Sequence, residues 1–278
     1  LVAAASGATA VGKSALGVLT SGGDNTAVGY TALAEHTTGA GNTAVGYASM
    51  DETGGHAGNY NTALGAGSMG GDWGGASSNN VAIGYQSMFG VMSGGNDNVT
   101  IGYQAGKVLT NPDDNVIIGS GAGVALTEAE QCVIIGKGAG AAITTNTAVG
   151  TTLVGYAAGA ALTSGAQNIA IGYQALMENT TGRRNIAIGY GAMDDSGGTN
   201  PANSDENIFI GADSGGGNWS DGADLVNEFN VCVGNATMGA ALAGANSNTA
   251  VGYAALNGVT SGGSNTAMGQ QAGEDNAA

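Results

Sequence analysis

One nine-residue pattern, written most plainly in Asn168–Leu176 as NIAIGYQAL, recurs from end to end of the chain. It reads Asn, any residue, a small residue, an aliphatic residue, Gly, often Tyr, any residue, Ala or Ser, then Leu, Met or Gly. Further copies begin at Asn25, Asn42, Asn80, Asn185 and Asn248. With the motif glycine as a ruler there are 15 copies, at Gly12, Gly29, Gly46, Gly65, Gly84, Gly102, Gly119, Gly136, Gly155, Gly172, Gly189, Gly211, Gly234, Gly252 and Gly269. The steps are 17–19 residues, apart from 22 before Gly211 and 23 before Gly234. The ninth copy reads two ways, because Asn146–Gly150 fits the pattern better than Thr151–Gly155. A repeat this short cannot bury a core alone, so its copies must stack on one another.

The local pattern says how they stack. Asn25-Thr26-Ala27-Val28-Gly29-Tyr30 alternates and is β-branched, which predicts a short strand with Thr26 and Val28 on one face and Ala27 on the other. A second apolar piece, such as Val18-Leu19-Thr20 or Val108-Leu109-Thr110, precedes a turn-rich linker such as Ser21-Gly22-Gly23-Asp24. Two short strands and two turns per repeat predict an all-β, parallel β-solenoid of about 15 coils of 17–23 residues, running as a single continuous array over residues 1–278. At the usual strand spacing it would be a rod about 70 Å long. Asn25, Asn42, Asn168, Asn185 and Asn248 are expected at a coil corner, in a left-handed conformation, with their side chains forming a ladder. Gly29, Gly46, Gly172, Gly189 and Gly252 are expected where the backbone bends or a neighbouring backbone comes close. Ala32, Ser49, Ser68, Ser87 and Ala105 mark a site that admits only a small side chain.

Composition removes several alternatives. The chain has 54 glycines but no strict glycine triplet, which excludes collagen. The net charge of −16 argues against nucleic acid or an anionic membrane as partner, and Arg183-Arg184 is the only basic pair. No apolar run is long enough to span a membrane. Leu1–Ala5 is too short and lacks the basic lead of a signal peptide. Neither end offers a polar cap, so the chain is expected to be a piece of a longer polypeptide.

The repeated Asn-x-Ala-Ile-Gly resembles the head repeats of YadA-like trimeric autotransporter adhesins. The longer Asn-Thr-Ala-Val-Gly-Tyr-x-Ala-Leu…Thr-Thr-Gly form, in Asn25–Gly39 and Asn168–Gly182, is similar to repeats of bacteriophage tail fibres. The resemblance covers almost the whole chain. It implies a left-handed β-roll, three chains around one axis, and a fibre that reaches toward a cell surface from an extracellular or virion-surface location. The coil here is longer than that of the adhesin heads. One hexapeptide of the acyltransferase type, Val28–Leu33, occurs per coil; those enzymes carry three.

Candidate chemistry is sparse. His36 and His56 fall in linkers and are expected to be exposed loop residues. Acidic residues collect in Asp51-Glu52, Asp113-Asp114, Asp194-Asp195, Asp205-Glu206 and Asp221 with Asp224. They read as a solvated loop face, with loop-bound calcium the alternative. Eight of the nine tyrosines follow a motif glycine, which predicts a structural ladder. The Thr positions are too interrupted for an ice-binding face. Trp73 and Trp219 sit in glycine-rich linkers within long steps and are expected on loop tips outside the coils, where Trp73, Trp219, Asp72 and Asn218 are candidate contacts for a cell-surface glycan. Cys132 and Cys232 lie five coils apart, roughly 24 Å, too far for a disulfide within one chain.

The sequence therefore predicts a structural fibre region without catalytic, cofactor or resident metal site. Its expected partners are two copies of itself and further fibre or virion proteins at both ends. A glycan-binding or depolymerising tailspike and a subunit of a bacterial extracellular filament or adhesin head are the alternatives. Since both strand faces are apolar, the Ala27/Ala44/Ala63 face is expected to face outward and pack chains lengthwise into a homo-oligomer, which the resemblance to fibre repeats implies is a homotrimer.

Overall fold

The structure, a computed structural model, describes residues 6–128, 130–144, 148–195, 204–217, 219 and 227–274. The chain divides into two compact units, Leu1–Cys132 with Thr144–Asn146, and Val133–Ile143 with Thr147–Ala278. Among the described residues every regular element is a three-residue strand, and there is no α-helix. The first unit holds β1 (Thr9–Val11), β2 (Thr26–Val28), β3 (Thr43–Val45), β4 (Thr62–Leu64), β5 (Val81–Ile83), β6 (Val99–Ile101) and β7 (Val116–Ile118). The second holds β8 (Val133–Ile135), β9 (Thr152–Val154), β10 (Ile169–Ile171), β11 (Ile186–Ile188), β12 (Ile208–Ile210), β13 (Val231–Val233), β14 (Thr249–Val251) and β15 (Thr266–Met268). Within each unit consecutive strands pair in parallel, one coil apart and in register, so Ala27 lies beside Ala44 and Ala170 beside Ala187. Each unit is a β-solenoid.

Each coil carries one strand, not two. The second apolar piece stays in the stack through single backbone bonds, Thr20 N to Thr37 O (2.9 Å) and Thr110 N to Thr127 O (2.7 Å), without forming a strand. In the ninth coil the strand is Thr152–Val154, so Gly155 is the motif glycine and Leu153, not Ala148, takes the middle position.

The motif glycine ends the strand. Gly29 has φ 147°, and a Cβ there would stand 2.2 Å from the carbonyl oxygen of Gly46 in the next coil. Any side chain would push the coils apart. The chain then turns through left-handed residues two and four places on, Thr31 (φ 54°) and Leu33 (φ 51°) in the second coil. The corner before the strand is also left-handed, but the residue in that conformation is Asp24, Tyr60, Gln167 or Arg184, one place before the motif asparagine.

The asparagine has another use. Asn42 Oδ1 accepts both the backbone N–H (2.9 Å) and the side-chain amide (3.1 Å) of Asn61. Asn61 Oδ1 does the same for Asn80. The free amide hydrogen closes the loop of the following coil, as from Asn61 Nδ2 to Ser77 O (2.8 Å). In the first unit this ladder runs from Asn25 through Asn42, Asn61, Asn80 and Asn98 to Asn115, whose Oδ1 accepts the N–H of Cys132. In the second it links Asn168, Asn185, Asn207, Asn230, Asn248 and Asn265. Nearly all the motif asparagines are buried. An asparagine that must point inward to its stacked neighbours leaves the turn to the residue before it.

The core has three rows. The middle strand residue points inward: Ala27, Ala44, Ala63, Ala82, Ile117 and their equivalents from β2 to β14 are fully buried. This reverses the expectation that the Ala27/Ala44/Ala63 face points outward. The second row is the fourth residue after the motif glycine, Leu33, Met50, Met69 and Met88 in successive coils. The third comes seven or eight residues after it and includes Leu19, His36, Thr53, Trp73, Met92 and Leu109. The small residues Ala32, Ser49, Ser68, Ser87 and Ala105 are buried beside them, with Ser68 Oγ donating to Ala82 O (2.7 Å).

Candidate functional site

With the middle residue turned inward, the first and third residues of each strand face out. Every one of these positions is Thr, Val, Ile, Leu or Met, and none is charged. Most are half-buried; Leu64 is 46% and Ile171 38% exposed. Each unit thus presents a two-residue-wide band of uncharged, mostly β-branched side chains, in a chain of net charge −16.

A second outward row follows the motif glycine. Tyr30 stacks on Tyr47 (centroids 5.4 Å apart, 7° between planes) and Tyr85 on Tyr103 (5.5 Å, 15°). In the second unit Tyr156, Tyr173 and Tyr190 stack at 5.1 and 5.2 Å. The ladder spacing of the coils sets these distances. Lys13 takes the same place one coil before Tyr30, its Nζ 5.7 Å from the ring centroid.

The loop side of the first unit carries two adjoining depressions. One, of about 300 Å³, is lined by Tyr47, Asp51, Glu52, Ala66, Gly67, Gly70, Tyr85, Gln86 and Phe89 among others. The other, of about 550 Å³, shares Glu52 and Phe89 and is walled by Val91 and Val108, with Asp72 and Lys107 at its edge. Of the four candidate glycan contacts, Asp72 alone lies on an open depression; Asn218 lies outside the described residues. Burial and the charges of Glu52 and Glu35 push the Asp51 carboxyl up to about 6. In the second unit Glu178 is raised, first by its hydrogen bond to Asp195 and then by burial, and burial with the charge of Asp213 raises Asp194.

The tryptophans are not at loop tips. Trp73 is 2% and Trp219 1% exposed. Trp73 Nε1 donates to Met69 O (3.3 Å) and Trp219 Nε1 to Gly215 O (3.0 Å), the same position in both coils. Trp219 also packs against Phe209 at 5.6 Å. Both stand eight residues after their motif glycine, in the third core row. The extra residues of a long coil leave room there for an indole, so neither ring is presented to a receptor. His36 is likewise buried, not exposed. Its Nδ1 lies 3.1 Å from Thr53 Oγ1 and its Nε2 3.2 Å from Asn42 Nδ2. Desolvation lowers its pKa. His56 is half-exposed, on a linker.

Cys132 and Cys232 are buried, and burial pushes the Cys232 thiol up to about 12. Cys132 stands in the asparagine row, one place before β8, and Cys232 in the middle of β13. Among the described residues no group of three or more His, Cys, Asp or Glu side chains is placed to hold a metal ion. No family model, curated protein or solved structure matches the chain.

Proposed function

We propose that this chain is a structural repeat region of a homotrimeric fibre, a phage tail fibre or similar, that gives reach and presents its loops for attachment at a virion or cell surface. It works through stacking, not catalysis. The observation that carries this reading is the uncharged band on the strands of both units. A soluble chain rarely leaves a long apolar surface open to water, least of all one that carries its acidic residues elsewhere. Lengthwise packing of three copies would bury it, through Thr26/Val28, Thr43/Val45 and Thr62/Leu64 and their equivalents instead of the alanine row. The resemblance of the repeats to trimeric fibres sets the number at three. Both ring nitrogens of His36 are engaged inside the core, which leaves the chain without a buried histidine free for proton transfer. Light scattering on the isolated chain tests the proposal. The expected mass is three times 26.6 kDa. A stable monomer would overturn it.

A further inference from the structure

Between its first and last tyrosines, Tyr30 and Tyr103, the row of the first unit is interrupted at one coil. Tyr30 and Tyr47 stack, Tyr85 and Tyr103 stack, and between the pairs the row position is Ala66. Gly67 follows it where Gln86 stands in the next coil. The first depression opens at this missing rung. We propose that it binds an organic ammonium group, held between the rings of Tyr47 and Tyr85 and neutralised by Asp51 and Glu52.

Spacing selects the ligand. Tyr47 and Tyr85 are two coils apart, so their rings lie about 10 Å from one another. A flat ring in contact with both would need them only about 7 Å apart. A cation midway sits about 5 Å from each centroid, inside the reach of a cation–π contact. The row already contains one half of that arrangement, a single cation–ring contact in which Lys13 places its ammonium 5.7 Å from the Tyr30 centroid. At Ala66 the chain supplies no such group, and none of the residues lining the depression is Lys or Arg.

The walls agree with a cation. Asp51 and Glu52 line the space, and Glu35 in the preceding coil adds to the negative potential at Asp51. Tyr47 and Tyr85 are 64% and 49% exposed, so a ligand can enter from solvent. Gln86 is held by Gln104, whose Nε2 donates to Gln86 Oε1 (3.0 Å), and Phe89 closes the apolar side. Ala66, Gly67 and Gly70 leave the floor without side-chain bulk.

The site lies within one chain and does not depend on the trimer reading. Calorimetric titration of the full chain with choline and with its neutral isostere 3,3-dimethylbutan-1-ol tests it, and light scattering on the same samples reports the assembly separately. Choline should bind saturably at one site per chain, with the neutral isostere about tenfold weaker or more. Ala66→Tyr restores the rung found in neighbouring coils and should abolish binding without unfolding the chain. Tyr47→Ala should weaken binding about fivefold. Absence of saturable choline binding, equal binding of the isostere, or unchanged binding by Ala66→Tyr would each overturn the proposal.

Discussion

Phe209 and Gly215 share one volume: a Cβ on Gly215 would stand 2.7 Å from Cδ1 of the Phe209 ring. The two positions are the middle of the strand and the fourth residue after the motif glycine, and from β2 to β12 they trade size coil by coil. Where the first is Ala27, Ala44, Ala63 or Ala82, the second is Leu33, Met50, Met69 or Met88. Where the first is Thr100, Ile117 or Leu153, the second is Gly106, Gly123 or Gly159, and an added Cβ would meet the facing side chain at 3.2, 3.5 and 2.9 Å. Phe209→Ala should cost about 3–5 kcal/mol by leaving a cavity. Gly215→Leu should destabilise by overpacking, although Leu33 shows that leucine is accepted in the same left-handed conformation. The double variant should be more stable than the sum of the two changes predicts, by more than about 1 kcal/mol. Denaturant titration of all four chains gives the coupling, and strict additivity would refute it.

That exchange carries the strand orientation that the alternating pattern leaves open. Period, strand position, motif glycine and asparagine ladder were legible, because each repeats with a fixed residue type. Alternation placed Ala27 opposite Val28, but with both faces apolar it could not say which pointed in. The covariation of Ala27 with Leu33 against Ile117 with Gly123 was the available signal, since only facing side chains need to compensate in volume. Their glycine-rich neighbours give Trp73 and Trp219 the look of loop residues. Counting from the motif glycine instead aligns Trp73 and Trp219 with Met92 and Leu242, which are core. The same count places His36 in the row of Leu19 and Leu109.

The asparagine ladder should be costly to break at any one rung. Asn61 accepts two hydrogen bonds from Asn80 and donates to Asn42 Oδ1 and Ser77 O. Asn61→Ala leaves the Asn80 N–H and the Ser77 carbonyl buried without these partners, at a cost of about 3 kcal/mol. Asn61→Asp keeps the acceptor and the shape but cannot donate to Ser77, and should recover little at neutral pH. An aspartate as stable as asparagine would show that the donor side of the ladder is unimportant.

Asn179 occupies the third core row, and its Nδ2 is buried without a hydrogen-bond partner, while its Oδ1 accepts the N–H of Gly182 (2.9 Å). Leu162 fills the equivalent place one coil earlier. Asn179→Leu removes one unsatisfied donor but leaves the buried Gly182 N–H without this acceptor, so the two changes offset and stability should move by about 1 kcal/mol at most. A loss of several kcal/mol would mean that the carboxamide has a use beyond the Gly182 bond.

Burial lowers the pKa of His36, so the unfolded chain takes up its proton first as the pH falls. The stability this residue contributes is therefore complete above the unfolded value of about 6.5 and is lost as the pH drops through the window below it. Asp51, raised to about 6, acts in the opposite sense: its burial penalty is relieved as the pH falls from about 6 toward its unfolded value. Only variants separate the two. His36→Leu should flatten the acid-side loss of stability between pH 6.5 and 5, while Asp51→Asn should steepen it. Parallel pH profiles for wild type and His36→Leu would show that His36 does not carry the dependence.

The outward bands make a prediction that the core does not. Ile101 and Ile188 end their strands half-buried, one in each unit, with nothing described in the chain covering them fully. On a surface open to water, Ile101→Lys and Ile188→Lys would change stability by about 0.5 kcal/mol or less. Packed between copies, each lysine would bring an unpaired ammonium into a dehydrated, uncharged seam, which costs several kcal/mol per chain. Ser120→Lys is the control, because Ser120 is exposed in the tyrosine row, where Lys137 already stands in a later coil. Light scattering should show the trimer for wild type and Ser120→Lys, and a monomer or partial dissociation for the two strand variants. Far-ultraviolet circular dichroism should stay that of a folded chain. Trimers that survive both strand substitutions unchanged would place the contact elsewhere on the coil and remove the band from the interface.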